Sequence, residues 1–173
     1  AATAAAIVLG VSPNAVKYGL AGFEGAGRRF DYKGKFQGAD LYDDYAHHPS
    51  ELRALLDAVD TLDYQRTIVV FQPHTYSRVK RLFDDYLTCT QAADFTLVTD
   101  IYAAREKDPG DIKASQIAEG MRAHGINAVH TPTFDDTEAY LRAHWQPGDL
   151  VLTMGCGNIN LLNDQIAQHE PQN

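Results

Sequence analysis

The stretch TIVVFQPHTYSRVKRL, residues 67–82, decides the fold class. Its first five residues are β-branched and aromatic with no polar alternation, the pattern of a strand buried on both faces. A polar turn follows, and then the spacing of an amphipathic helix. The unit recurs: FTLVT (95–99) and DLVLTM (149–154) read as buried strands, and INAVHT (126–131) as a weaker one. PSELRALLDAVDTL puts Leu52, Leu55, Leu56, Val59 and Leu62 on one apolar stripe. SRVKRLFDDYLTCTQAA, ASQIAEGMRAHG, DTEAYLRAHW and NINLLNDQIAQH also carry helical spacing. Strands alternating with helices predict an α/β fold with a Rossmann-like, mostly parallel sheet and helices on both faces.

Upstream of this repeat the chain reads differently. AATAAAIVLG reads as the end of a helix cut from something longer, and Ser12-Pro13 as the start of the next one. Residues 19–27, GLAGFEGAG, carry four glycines and are expected to form a hinge. RRFDYKGKF and GADLYDD predict two strands around Gly34 and Gly38, an N-terminal β-hairpin on an antiparallel edge. The polar tail HEPQN is expected to fray.

The 173 residues, 45% hydrophobic and 22% charged, suffice for one well-buried core. A net charge of −8 argues against nucleic acid or an anionic membrane surface as partner. Cys89 and Cys156 stand in no metal or redox spacing, which predicts free thiols and a cytoplasmic setting. No apolar run is long enough to cross a bilayer.

In an open parallel sheet, ligands bind outside the carboxyl ends of the strands. The polar residues fall there. LYDDYAHHPSELRAL (41–55) places Asp43, Asp44, Tyr45, His47 and His48 between a strand and the helix begun by Pro49. Helix starts favour anions. Simple capping of that helix by Asp44 and His48 is the competing account. After the next strand come His74 and Arg78. Arg78, Lys80 and Arg81 crowd the first turns of a helix, where cations oppose the dipole. Lys80–Asp84 and Arg81–Asp85 are possible i, i+4 pairs, but position 82 is leucine, so Arg78 lacks such a partner and suits an anionic ligand. TDIYAAREKDPGD brings Asp100, Tyr102, Arg105 and Glu106 in a long loop, functional or merely a solvated Arg105–Glu106 cluster. In MGCGNIN, Gly155 and Gly157 permit a tight turn and Asn158 can cap a helix; Asn160 breaks a dinucleotide fingerprint. In GAGRRF, strand alternation sends Arg28 and Arg29 to opposite faces, one toward a phosphate, unless both belong to a charged edge strand. Zinc on His47, His48 and His74 with Asp43 or Asp44 is disfavoured, because adjacent histidines in an extended loop do not readily share one metal. Cys156 as a nucleophile has no assignable base.

GAGRRF, DDYAHHP, FQPHTYSR, TDIYAARE and MGCGNI, in this order and spacing, resemble the Mur ligase family, and most closely the C-terminal part of members that join L-alanine to UDP-N-acetylmuramate. The resemblance implies three domains in the whole enzyme: one for the UDP-sugar, a central one for ATP, and a C-terminal one that brings the amino acid and closes over ATP. Residues 1–22 would then be a remnant of the central domain's last helices and hinge, and residues 23–173 the C-terminal domain. It further implies an ATP-dependent reaction: the muramate carboxylate becomes an acyl phosphate, which the amine of L-alanine attacks. Arg29, Asp44, Tyr45 and His47 are expected at ATP; His48, His74, Arg78 and Arg105 are expected at the amino acid. ATP and Mg²⁺ would be bound mainly by the central domain, since no G-x-x-x-x-G-K-[ST] occurs here, and this chain alone would be inactive. No metal site is expected within it. The chain departs from the family pattern at Thr75, where relatives often carry Arg, and at Cys156 and Asn158, where Ala and Asp are common. A murein-peptide recycling ligase of the same family and a non-catalytic nucleotide-binding module are the alternatives.

Overall fold

The structure, a computed structural model, describes residues 2–23 and 25–170. Glu24 of the expected hinge, Ala1, and residues 171–173 of the polar tail lie outside the described residues.

Two helices open the chain, α1 (Ala2–Val8) and α2 (Pro13–Ala21), and neither buries a residue. Ser12 caps α2 by accepting from the Ala15 N–H at 3.3 Å, with Pro13 in the first turn as its fixed φ favours. A six-stranded sheet follows, ordered β1-β2-β6-β3-β4-β5. Its strands are β1 (Asp31–Phe36), β2 (Ala39–Asp44), β3 (Arg66–Phe71), β4 (Phe95–Val98), β5 (Ala128–His130) and β6 (Asp149–Met154). β1 and β2 pair antiparallel, and all other pairings are parallel. The hairpin turns at Gln37 and Gly38, both at positive φ (50° and 89°), the backbone a tight two-residue connection requires. A Cβ at Gly38 would meet Pro147 within 2.8 Å.

The apolar stripes decide which face each helix covers. Leu52, Leu56 and Val59 of α3 (Pro49–Val59) join α6 (Ala114–Ala123) over Val69, Phe71, Leu150 and Leu152. Leu141 of α7 (Phe134–His144) and Leu162 and Ile166 of α8 (Asn160–Gln168) cover Ile68, Val70, Leu97 and Val151 on the other face. Alternate residues of each central strand thus feed opposite cores, as period-2 geometry dictates. Each such leucine or isoleucine contributes about 1.5–3 kcal/mol by burial.

Three expectations need correction. The helix read over residues 77–93 is two short pieces, α4 (Tyr76–Arg81) and α5 (Phe83–Tyr86), separated at Leu82 (φ −113°, ψ 21°) and followed by turns. Side chains hold the broken chain: Arg53 donates to the Asp85 carbonyl at 2.8 Å and to Thr88 at 3.1 Å, and the fully buried Tyr86 donates to the His47 carbonyl at 2.9 Å. The Lys80–Asp84 pair does not form, because Lys80 reaches Asp111 at 2.6 Å. The first strand begins at Asp31, not Arg28. Arg28 and Phe30 are at positive φ (58° and 48°), so strand alternation does not place the two arginines.

Candidate functional site

Register puts Asp44, Met154, Phe71 and Val98 side by side at the carboxyl ends of four neighbouring strands. The turns that leave those strands therefore meet. This brings together most of the residues singled out from the sequence.

The turn before β1 is pinned to the sheet by buried carboxylates. Asp43, fully buried, accepts from Arg28 Nε at 2.8 Å and from Thr153 Oγ1 at 2.9 Å. The Arg28 guanidinium also donates to the carbonyls of Gly157 (3.0 Å) and Gly155 (2.5 Å), so it locks the hairpin's entry to the last turn. That use of its carbonyls makes the glycine turn a cation seat, not an anion nest. Asn158 does not cap α8; its Oδ1 accepts from Gln72 Nε2 at 2.9 Å. Asp44, 6% exposed, accepts from the backbone N–H groups of Phe30 and Ala46, both at 2.8 Å. Its geometry is that of a brace for the turn carrying Arg29, rather than of an open acceptor for a ligand hydroxyl.

Arg29 lies over the Tyr45 ring at 5.6 Å, and Arg28 over the same ring at 5.2 Å. Tyr45 meets His47 edge-on at 5.7 Å, His47 meets His74 at 6.1 Å, and His74 stacks on Tyr102 at 5.7 Å. One continuous row of rings thus crosses the strand ends from the arginines to the long loop. His48 is the N-cap of α3: its Nδ1 accepts from the Ser50 N–H at 3.3 Å, and Glu51 reaches back to the His48 N–H at 3.1 Å. The capping account therefore holds for His48, by a histidine in the place usually taken by Ser, Thr or Asp.

Arg78 takes part in no ion pair among the described residues, and its Nη1 is buried without a hydrogen-bond partner. His74 Nδ1 and Gln72 Oε1 are buried and unpartnered as well. Burial, the Arg78 charge and then His47 hold the His74 imidazole below its ordinary pKa. Burial raises the Cys156 thiol, Arg78 offsetting part of it, so a thiolate is disfavoured there. Arg105 is exposed, and Glu106 turns to the Ser77 backbone N–H (2.9 Å) and hydroxyl in place of the expected Arg105 cluster. A cleft of about 290 Å³ beside the row is lined by Gln72, Tyr102 and Asn158.

Sequence reasoning passed over Glu51, Gln72 and the Arg28–Asp43 pair. Glu51 had a signal, the acid three residues after a cap. Gln72 had none, since a polar residue at a strand end has no period to betray it. Among the described residues, no group of three or more His, Cys, Asp or Glu could hold a metal ion, and no helix is long and apolar enough to cross a membrane.

Comparison with known proteins adds a family to this geometry. Residues 28–157 match the family model "Mur ligase, glutamate ligase domain". UDP-N-acetylmuramate–L-alanine ligase of Clostridium novyi is 41% identical over 168 residues, 97% of this chain and 37% of the relative. The same-named protein of Acetivibrio thermocellus is 43% identical over 97% of this chain and 36% of its own. The chain thus spans little more than a third of the length of these relatives. UDP-N-acetylmuramate–alanine ligase of Thermotoga maritima has the same fold over 95% of this chain and 35% of its own, with a TM-score of 0.75 at 23% identity. A murein peptide ligase of Psychrobacter arcticus follows over 87% of this chain and 31% of its own, with a TM-score of 0.67 at 19% identity.

Proposed function

The chain belongs to the Mur ligase family, and from that premise we propose that it is the C-terminal domain of an ATP-dependent ligase joining L-alanine to UDP-N-acetylmuramate through an acyl phosphate, in peptidoglycan precursor synthesis. One observation carries the reading: Arg78, with a buried, unpartnered Nη1, stands at a strand-to-helix turn beside His74. In a chain of net charge −8, a guanidinium left without a carboxylate suits one brought by a ligand. L-alanine supplies that carboxylate. Arg29, set against Tyr45 and without an ion pair among the described residues, is the group for the ATP phosphates. Tyr45 offers a ring face to the nucleotide, and Asp44 braces the turn that presents Arg29. His48 caps the helix beneath, and the exposed Arg105 flanks the amino-acid side on the long loop. Arg29 and Arg78, neither in an ion pair among the described residues, suit phosphate and carboxylate oxygens; Mg²⁺ falls to the remainder of the enzyme, as does most of ATP. Residues 1–22, whose helices bury none of their residues, are read as part of the preceding ATP-binding domain, with the hinge at residues 19–27. The chain alone is then inactive, for want of the other half of the site, and the setting is cytoplasmic.

The test is Arg78→Ala in the full-length enzyme, with kinetics in L-alanine. A charge-assisted hydrogen bond contributes about 1.5–3 kcal/mol, so KM for L-alanine is expected to rise by about 10- to 100-fold with KM for ATP little changed. An unchanged KM for L-alanine overturns the assignment.

A further inference from the structure

His47 and His74 meet edge-on in the row of rings, 6.1 Å between ring centres, and the fold gives their nitrogens opposite capacities. His47 Nδ1 lies 3.1 Å from the Tyr45 carbonyl oxygen, which can only accept. The neutral ring therefore carries its hydrogen on Nδ1 and its lone pair on Nε2, and Nε2 has no protein partner among the described residues. A carboxylate stands behind the same nitrogen, Glu51 Oε2 at 3.5 Å from Nδ1. Glu51 is fixed in turn by the backbone N–H groups of His47 (3.0 Å) and His48 (3.1 Å). Against the cost of its burial, those two bonds hold its carboxyl below the usual range, so it is ionised. The Tyr86 hydroxyl, donating to the His47 carbonyl at 2.9 Å, anchors the histidine from a third element. The His47 side chain stays 19% exposed, enough for a ligand to reach it.

His74 is the reverse case. Its Nδ1 is buried with no partner. An orphaned buried N–H is more costly than an orphaned lone pair, so the hydrogen sits on Nε2 and the ring is a donor. Protonation would create the orphaned N–H and would place a second cation beside Arg78. His74 is thus the poorer base of the two.

We infer that His47 is the general base of amide formation and that Glu51 is its positioning residue; this deepens the ligase reading and rests on it. With the amino-acid carboxylate on Arg78, the ammonium group comes to the histidine side of the cleft. Nε2 of His47 takes one proton from that ammonium group, and Glu51 stabilises the imidazolium. The freed nitrogen lone pair forms the C–N bond at the acyl carbon. The C–O bond to phosphate breaks, its electron pair leaves with phosphate, and the second ammonium proton leaves with it. His47 returns its proton to water. The groups facing His47 are Tyr45 from its own loop, Glu51 from α3, Tyr86 from α5 and His74 from the turn after β3, with Arg28 and Arg29 behind Tyr45 and Arg78 behind His74.

The experiment compares two nucleophiles in the full-length enzyme given ATP and UDP-N-acetylmuramate. L-alanine arrives as an ammonium ion and needs a base. Hydroxylamine is largely unprotonated near neutral pH and traps an acyl phosphate without one. His47→Asn keeps a donor for the Tyr45 carbonyl and removes Nε2. The ratio of hydroxamate to alanine product is expected to rise by about 100-fold or more, the alanine loss appearing in kcat. Glu51→Gln keeps the helix cap and removes the charge; its alanine reaction is expected to fall by about 10-fold and to recover as pH rises, while hydroxamate formation stays near the wild-type rate throughout. Equal loss of both products in both variants, or a change confined to KM for L-alanine, overturns the inference. A wild-type enzyme that makes neither product overturns the ligase reading itself.

Discussion

The two ends of the sheet are built from similar residues and treat them in opposite ways. At the amino ends of the strands, Arg66 meets Asp149 through two bonds, 2.9 and 2.6 Å, and donates to the His144 carbonyl at 3.0 Å. Asp149 accepts also from the Gln146 N–H at 2.7 Å, and Asp94 accepts from the Thr67 N–H at 2.7 Å. A cavity of about 590 Å³ lies there between Arg66, Phe95 and Tyr140. At the carboxyl ends the cleft is smaller, yet Gln72, His74 and Arg78 each keep a buried polar atom unpartnered. A buried polar group without a partner costs about 1–3 kcal/mol. Among the described residues the other such atom is Asn163 Oδ1, whose amide nitrogen donates to Thr153 one residue from the carboxyl end of β6, so the unsatisfied groups, and not the volume, mark the candidate site.

Breaking the satisfied end is expected to have the largest effect on stability. Asp149 is 1% exposed, and Arg66→Ala leaves its carboxylate buried with one backbone donor. The expected loss is about 3 kcal/mol, somewhat moderated because Arg66 is partly exposed, read by urea unfolding, with KM for L-alanine in the full-length enzyme unchanged. A stable variant with altered KM would mean that the amino ends also serve ligand. Arg78→Ala reverses the pattern. It removes no ion pair and one unpartnered donor, so unfolding free energy is expected to stay within about 0.5 kcal/mol of wild type while alanine binding falls. A large loss of stability would make Arg78 structural and end the contrast.

Gly157→Ala probes the join between the last turn and the row of rings. A Cβ there would meet Gln72 Oε1 and, at 2.6 Å, Tyr102 Cγ. Tyr102 is stacked on His74 and cannot yield freely. Overpacking of this kind costs about 1–3 kcal/mol. Both stability and alanine ligation are expected to fall, since the displaced Tyr102 carries His74 with it. Full activity would show that the stack does not position the site.

How much of this was readable beforehand follows the physics of each signal. Strands β3, β4 and β6 and the helices α3, α6, α7 and α8 were legible, because apolar runs such as TIVVF and the helical stripes have periods that burial enforces. The clustering of the candidate residues was legible too, because parallel pairing sends the turns after β2, β3, β4 and β6 to one edge. The break at Leu82 was not. The chain beyond it is held by Arg53, 29 positions upstream of Leu82, and helical spacing continues through the break. Nor was the division of labour among charged residues. Arg28 and Arg29 are identical neighbours in sequence, and only the positive φ of Arg28 turns one to Asp43 and leaves the other over Tyr45.

The smallest effect tests the contrast without a mutation. His74 titrates below the ordinary histidine value near 6.5, because burial and then Arg78 disfavour its charged form. In the unfolded chain it binds its proton at the ordinary value. Between the two values the unfolded state holds more protons, so stability rises with pH there. The contribution is therefore fully present above about pH 6.5 and lost as pH falls toward the folded value. A histidine ring resonance followed by NMR is expected to show a midpoint below 6.5, and saturating L-alanine in the full-length enzyme should move it upward, since a carboxylate on Arg78 offsets the charge that depressed it. The same titration in Arg78→Ala should start higher and respond less to L-alanine. A midpoint indifferent to both would mean that burial alone sets it, and that the unpartnered guanidinium and the imidazole beside it do not act on one ligand.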